Sequence, residues 1–409
     1  MTRVVVVGAG IVGLSCAWSL QEHGVEVEVV DRRHPGAGAS WGNAGFLSPA
    51  LTVPLPEPSI LRYGLRAVLD RHSPVALPVP PTGAVLGFLA RMARYCTTAR
   101  WEQAMAAYRP LNEQIFAAFD RQTSGGVDAV TTPGDLVAAF GHPAEAAGVL
   151  AELQGVVAAG LEVVVEILTG EQARAIEPHL SPAVSTAVLV RGQRYITPHA
   201  YVAALAGQVR LRGGKITEGM AVSGVERRGD RVVVSDTDHH LEADAVVLAA
   251  GSWLSPLARP HGVAVPVQAG RGYSFTVPCT TPLRGPVYLP ATRVAIAPDG
   301  DRARLAGIME FAGADAPPGR GRIPSMVRAV RPLLAGLDLD DRADEWVGPR
   351  PLTTDGVPLV GATRTPGVYV AGGHGMWGVT LGPLTGELLA ERIVTGRTPE
   401  LLRPLDPLR

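Results

Sequence analysis

"TRVVVVGAGIVGLSCAWSLQEHGVEVEVVD", residues 2–31, reads as one complete βαβ unit. Val4 to Val7 form an apolar strand, residues 11–22 a helix stopped by Gly24, and Val25 to Val30 a second strand that ends on Asp31. Between strand and helix, Gly8, Gly10 and Gly13 stand in the spacing G-x-G-x-x-G. Each glycine has its own reason. Gly8 permits a tight turn, Gly10 lets a pyrophosphate reach the backbone, and Gly13 lets the helix pack on the strand while its N-terminus faces the anion. Asp31 follows about 20 residues later, where a carboxylate binds ribose hydroxyls and repels the 2′-phosphate of NADP. The unit predicts a dinucleotide site in an α/β fold.

The next stretch separates FAD from NAD. "RRHPGAGASWGNAGFLSP", residues 32–49, is dense in small residues. A flavin ring lies deep in its protein, and Ala39, Ser40, Gly42, Ala44 and Gly45 allow backbone to approach it; Ser40 can also donate to a phosphate. "HHLEADAVVLAAGSWLSPLA", residues 239–258, offers a further strand, Ala245 to Ala249, followed by the turn Ala250-Gly251. Such a turn after a parallel strand presses backbone against a cofactor, or is simply an ordinary βα turn.

Near the C-terminus, "VYVAGGHGMWGVTLG", residues 368–382, repeats the glycine spacing at Gly373, Gly375 and Gly378. A second dinucleotide unit would need another strand and acid after its helix. Leu384 to Val394 read as one helix, Gly396 stops it, and only a proline-rich tail follows. The second loop therefore serves the first cofactor.

The 409 residues suffice for two domains or one large one, and 46% hydrophobic content fits a globular protein with a sizeable core. With 37 basic and 38 acidic residues the net charge is -1, so there is no overall field for nucleic acid or an anionic membrane. Cys16, Cys96 and Cys279 lie far apart, which argues against a disulfide framework or a metal site and fits a reducing cytoplasm. Neither a signal peptide nor a membrane-spanning run is recognisable, so any membrane contact is expected to be peripheral. Proline gathers in 49–58 with 74–81, and in 278–298. Both are read as ordered loops and crossings between domains.

Five stretches together resemble the flavin-dependent D-amino acid oxidase superfamily, most closely its D-amino acid dehydrogenase and glycine oxidase branch. They are the N-terminal unit, "ASWGNAGFLSP" (39–49), "ADAVVLAAGSWLSPL" (243–257), "GPRPLTTDGVPLVG" (348–361) and "VYVAGGHGMWGVTLGPLTGELLAE" (368–391), in the family's order. The resemblance implies a glutathione-reductase-like FAD domain of Rossmann type, formed by 1–60, 195–262 and 345–409. A substrate domain with an antiparallel sheet, 61–194 and 263–344, would cover the flavin. Within the FAD domain, 196–219 read as a helix and the start of a strand, and 220–236 as a hairpin turning near Gly229.

The resemblance also implies the cofactor contacts. These are Gly8, Gly10, Ile11, Val12, Gly13, Asp31 and Arg32; Ser40, Asn43, Ala44 and Gly45; Val222 beside the adenine; Ala250, Gly251 and Trp253; and Arg350, Gly373, His374, Gly375, Met376, Gly378, Val379 and Thr380. Relatives that bind FAD covalently do so through a His in the early loop or a Cys near the "RP" segment. Here Trp41-Gly42-Asn43 stands in the first place and no Cys in the second, so non-covalent FAD is expected. Where the branch often has Lys-Gly-Tyr, this chain has Arg271-Gly272-Tyr273.

Oxidising an amino acid at flavin requires a hydride acceptor facing the α-carbon and a group that holds the carboxylate. A planar guanidinium does the latter with two parallel hydrogen bonds. Arg350, in the family's G-x-R-P pattern, is assigned that role. Tyr273 is the second candidate, its hydroxyl capping the same carboxylate, and Tyr195 the third. No general base stands out: His199 is read as a helix-start residue, and His374 between glycines as contributing backbone rather than ring. The expected reaction is hydride transfer from a D-amino acid, with a secondary or cyclic amine as the alternative and a non-catalytic flavin subunit as the other class. Oxygen or a quinone would take the electrons.

Overall fold

The computed structural model describes residues 2–59, 75–77 and 81–409. Of the proline-rich stretch 74–81, Pro74, Pro78 and Pro80 lie outside the described residues.

A six-stranded sheet carries the N-terminal unit. Its order is Lys215–Glu218, Glu26–Asp31, Arg3–Val7, Ala245–Leu248, Val368–Gly372 and Leu359–Ala362. All neighbours run parallel except the last pair. Val4 to Val7 are nearly fully buried, as expected of a central parallel strand covered on both faces. On one face pack the helices Ile11–Glu22, Pro198–Leu211 and Gly378–Thr395. On the other lies a three-stranded antiparallel sheet, Gly224–Arg228, Arg231–Ser235 and His240–Ala243, whose first turn contains Gly229 at φ +59°.

A nine-stranded, mainly antiparallel sheet forms the second layer. Its long strand Val267–Pro278 lies between Arg302–Phe311 and Ala343–Thr353. Two expectations change here. Residues 278–298 are not merely a crossing, because Val287–Leu289 and Val294–Asp299 are strands of this sheet. Their prolines fall at Pro278, which ends a strand, and in the loops and edges that tolerate a missing N–H. The strand Ala343–Thr353 also runs through the boundary expected at 345, with Trp346 to Thr353 paired to the large sheet.

The helices Thr98–Asn112 and Ile115–Ser124 share a core with Trp18, Tyr201 and Leu384 of the first layer rather than with the large sheet. Tyr108 Oη donates to Gly356 O at 2.8 Å, and the Arg121 guanidinium pairs with Glu387.

The C-terminal helix begins at Gly378, six residues before the expected Leu384. Glycine and Pro383 obscure it, since both are poor helix formers. Packing overrides them. Gly378, Gly382 and Gly386 lie on one face against the first helix, and a Cβ on Gly386 would stand 2.5 Å from the Ser15 backbone.

Candidate active site

The glycine turns are set by contacts that admit no side chain. Gly8 has φ +114°, and a Cβ there would meet Ala249 O at 2.4 Å; on Gly13 it would meet Gly8 O at 1.9 Å. Gly10 is different. Its nearest neighbour would be Ser40 Oγ at 3.3 Å, so this position faces a gap beside the helix N-terminus. Ser40 Oγ accepts from Ile11 N, and Asp31 Oδ2 accepts from Ala9 N at 2.7 Å, which tightens the loop. Met220 N donates to Asp31 O and brings the segment bearing Val222 to the same strand end. Ala250 and Gly251 follow Ala249 there. Trp253 Nε1 donates to Asp315 Oδ2 at 2.7 Å, and the Arg32 guanidinium stacks over the Trp253 ring at 4.9 Å. The gap at Gly10, the helix terminus and the carboxylate at the strand end fit a dinucleotide.

A cavity of about 1500 Å³ opens between the two layers. Ala39, Gly42, Asn43 and Ala44 of the early loop line it, with Met376 and Trp377 of the late one. Asn43 Oδ1 accepts from Gly45 N, and Gly45 at φ +78° presses against Ile196 O. Thr380 Oγ1 donates to Phe46 O and ties the late helix to the early loop; Val379 beside it is buried. Gly373 and Gly375 have φ of +70° and +57° and turn the chain from strand into helix. Trp346 lies against the early loop, its ring where Cβ atoms on Gly42 and Gly348 would fall.

Arg350 projects into this cavity from the strand that joins the two layers. Ser252 Oγ donates to Pro349 O at 2.8 Å on one side of it, and Leu352 bridges to His374 on the other. The guanidinium lies over Gly272, where a Cβ would be 2.2 Å from Nη2. Nη1 donates to Ile308 O at 2.7 Å. Ile308 itself has φ +62°, a left-handed conformation that is costly for a β-branched residue. It sits where the ladder slips between Arg271 and Tyr273, so a β-bulge turns its carbonyl toward Arg350. No carboxylate pairs with Arg350 among the described residues. Burial lowers its pKa to about 10, and it stays a cation at neutral pH.

The other two candidates go elsewhere. The Tyr273 ring lines the cavity, but its hydroxyl donates to Glu310 Oε2 at 2.6 Å and accepts from Gly319 N. Its pKa is raised by burial and then by Glu310. Arg271 and Arg322 approach the same Glu310 at 3.5 and 3.3 Å, so the charge of the Arg-Gly-Tyr segment is spent on an internal ion cluster. Tyr195 lies in the short strand Arg194–Tyr195, paired with Phe46 and Thr132, and its ring packs at Gly134 outside the cavity lining. His374 is buried, its Nε2 within 3.0 Å of Thr385 Oγ1, and burial lowers its pKa to about 4. His199 stacks on Trp41 at 5.7 Å.

Sequence reasoning missed Ile308 and the carbonyl it presents. In "LAGIMEF" only Gly307 hints at a bulge, as an isolated glycine inside a strand pattern. Gly272 left a usable signal, being a glycine in the middle of an apolar strand, where close approach by another group is the common cause.

The FAD dependent oxidoreductase (DAO) family model matches residues 3–392. A D-amino acid dehydrogenase of Methylobacterium sp. (strain 4-46) is 34% identical, covering 98% of this chain and 96% of that protein. One from Cereibacter sphaeroides is 31% identical over 98% of this chain and 93% of its own length. Among solved structures, glycine oxidase from Geobacillus kaustophilus superposes with a TM-score of 0.75 at 23% identity, covering 100% of this chain and 99% of that one. L-proline dehydrogenase from P. horikoshii gives 0.72 at 17%, covering 100% and 97%. At these identities the two structures speak for the fold.

Proposed function

The chain belongs to the DAO family of FAD-dependent oxidoreductases, and from that premise we propose that it oxidises the CH–NH bond of a D-amino acid to the imino acid. The observation that carries this reading is Arg350, a half-buried guanidinium with no acidic partner among the described residues, lining a cavity edged by both flavin loops. A substrate carboxylate supplies the missing counter-charge. Ile308 O takes up one Nη1 proton and Gly272 leaves room beside the group, so the other donors remain for the substrate.

When bound, FAD accepts the Cα hydrogen with its electron pair, while the amine lone pair becomes the second bond of C=N. The chain's own task is placement. Arg350 fixes the carboxylate, and the apolar walls at Leu55, Met309 and Phe311 exclude water around the reacting carbon. The described lining contains no histidine, and His374 is neutral and tied to Thr385, which agrees with hydride transfer from a neutral amine without an imidazole base.

In this reading Gly8, Gly10 and Gly13 would hold the pyrophosphate and Asp31 the ribose, and Asn43–Gly45 with the N-terminus of the helix Gly378–Thr395 would hold the flavin ring. That terminus would favour negative charge on the group it faces. Tyr273 acts through Glu310 rather than on the substrate, and Tyr195 steadies the early loop. A division into FAD and substrate domains would follow the two layers only if the helices Thr98–Asn112 and Ile115–Ser124 are counted with the first layer, the strand Ala343–Thr353 joining the two. Oxygen or a quinone takes up the electrons, and the few, isolated cysteines support a cytoplasmic location. No helix among the described residues is long and apolar enough to cross a membrane.

The test is anaerobic. A yellow protein should be bleached by D-amino acids and not by their L-forms. Bleaching only by sarcosine- or proline-like amines would move the reading to secondary amines, and a flavin that no amine reduces would overturn it.

A further inference from the structure

Part of the cavity is the place of the flavin ring, beside Asn43 and Ala44, and the lining beyond it is not uniform. The helix Ala146–Ala158 turns one face to the cavity, through Gly148, Val149, Ala151, Glu152 and Gly155. Gly148 leaves open space at the wall, whereas the Trp101 ring packs at Gly155. Glu152 is the one charged residue of that face. It has no hydrogen-bond partner and no ion pair among the described residues. Leu89, Met92 and Trp101 line the same cavity, and their apolar surfaces suit a hydrocarbon stem.

Taken with the reading of Arg350 above, on which this rests, we propose that Glu152 is a specificity-determining residue that receives the cationic end of a long D-amino acid side chain, as in D-lysine or D-arginine. One cavity then holds a cation without an acidic partner for the α-carboxylate, a carboxylate without a hydrogen-bond partner for the side-chain ammonium or guanidinium, and apolar lining shared by both. The charges around Glu152 agree. Glu57 and, at the rim, Glu145 add negative charge; Arg293 is the cation of this wall, and it has a partner of its own. Burial, followed by the nearby Glu57 charge, raises the Glu152 pKa to about 7, and Arg293 only partly offsets this. An incoming cation relieves both effects.

The experiment compares D-lysine with D-norleucine, which is lysine without its ammonium group, using the FAD-loaded full-length protein at about pH 8, where Glu152 is ionised. kcat/KM should be at least about tenfold higher for D-lysine, and the ratio should collapse about tenfold or more in Glu152→Gln, a loss of about 1.4 kcal/mol. Rescue of the ratio by Glu152→Asp would show that charge at this place is what counts. A wild-type preference for D-norleucine, or a ratio unchanged in Glu152→Gln, would overturn the proposal while leaving D-amino acid oxidation standing. If neither compound nor any other D-amino acid bleaches the bound flavin, the parent reading falls and this one with it.

Discussion

Arg350, Gly272 and Ile308 act as one device. The cation is held by a carbonyl in a strained backbone and by the absence of a side chain beneath it. Arg350→Lys keeps the charge but loses the planar fork, so KM should rise and kcat/KM fall on the order of 10²-fold, with flavin still bound. Unchanged kinetics would remove Arg350 from the site. Gly272→Ala is subtler. Its Cβ would collide with the movable end of Arg350 rather than with backbone. The fold should therefore persist, with flavin content near normal, while kcat/KM drops by about ten- to a hundredfold as the guanidinium shifts. Loss of flavin in this variant would contradict the assignment.

Glu152 gives a pH signature in the substrate-free protein. Its ordinary pKa is 4.5 and its folded value about 7, so between these the folded state binds more protons than the unfolded one. Its contribution to stability falls as pH rises through that window. Glu152→Gln should raise Tm most above about pH 7, and the gain should shrink toward about pH 5, where wild type carries a neutral Glu152. A gain independent of pH would contradict this. His374 has the opposite sense: its folded pKa of about 4 lies below the ordinary 6.5, so it costs stability only as the medium becomes acidic.

At the scale of elements, the same glycine spacing performs two tasks. In the N-terminal loop Gly13 is compressed against Gly8 O, and Gly10 faces a gap. In the C-terminal loop Gly373 and Gly375 turn the chain, whereas Gly378 opens a helix whose later glycines, Gly382 and Gly386, admit the first helix. Gly386→Val would force two backbones apart. Overpacking of this kind costs about 1–3 kcal/mol or more, so denaturation should show a marked loss of stability with the substrate-binding residues intact. A near-neutral effect would mean that the two helices can separate freely.

Across the whole molecule, the layers are tied by the strand Ala343–Thr353 and by Ser252 to Pro349. Apoprotein should therefore still melt in one transition, at a lower Tm than holoprotein, because a ligand of the native state alone stabilises by mass action. Two separated transitions in calorimetry would show that the cofactor, rather than these ties, joins the layers.

The sequence by itself determined the βαβ unit, the parallel core strands, the hairpin around Gly229 and the candidate Arg350. The elements rest on local periodicity and on glycine turn signals, and Arg350 on the G-x-R-P pattern of the family the sequence resembles. The large sheet's pairings, the early start of the last helix, the diversion of Tyr273 to Glu310 and the exclusion of Tyr195 from the cavity were decided only in three dimensions. They depend on partners far along the chain: Arg350 on Ile308, Tyr273 on Glu310, Gly386 on Ser15. A residue's type states what it can bond to. Which bond it makes is set by the competing groups that folding brings within reach, and no local pattern records them.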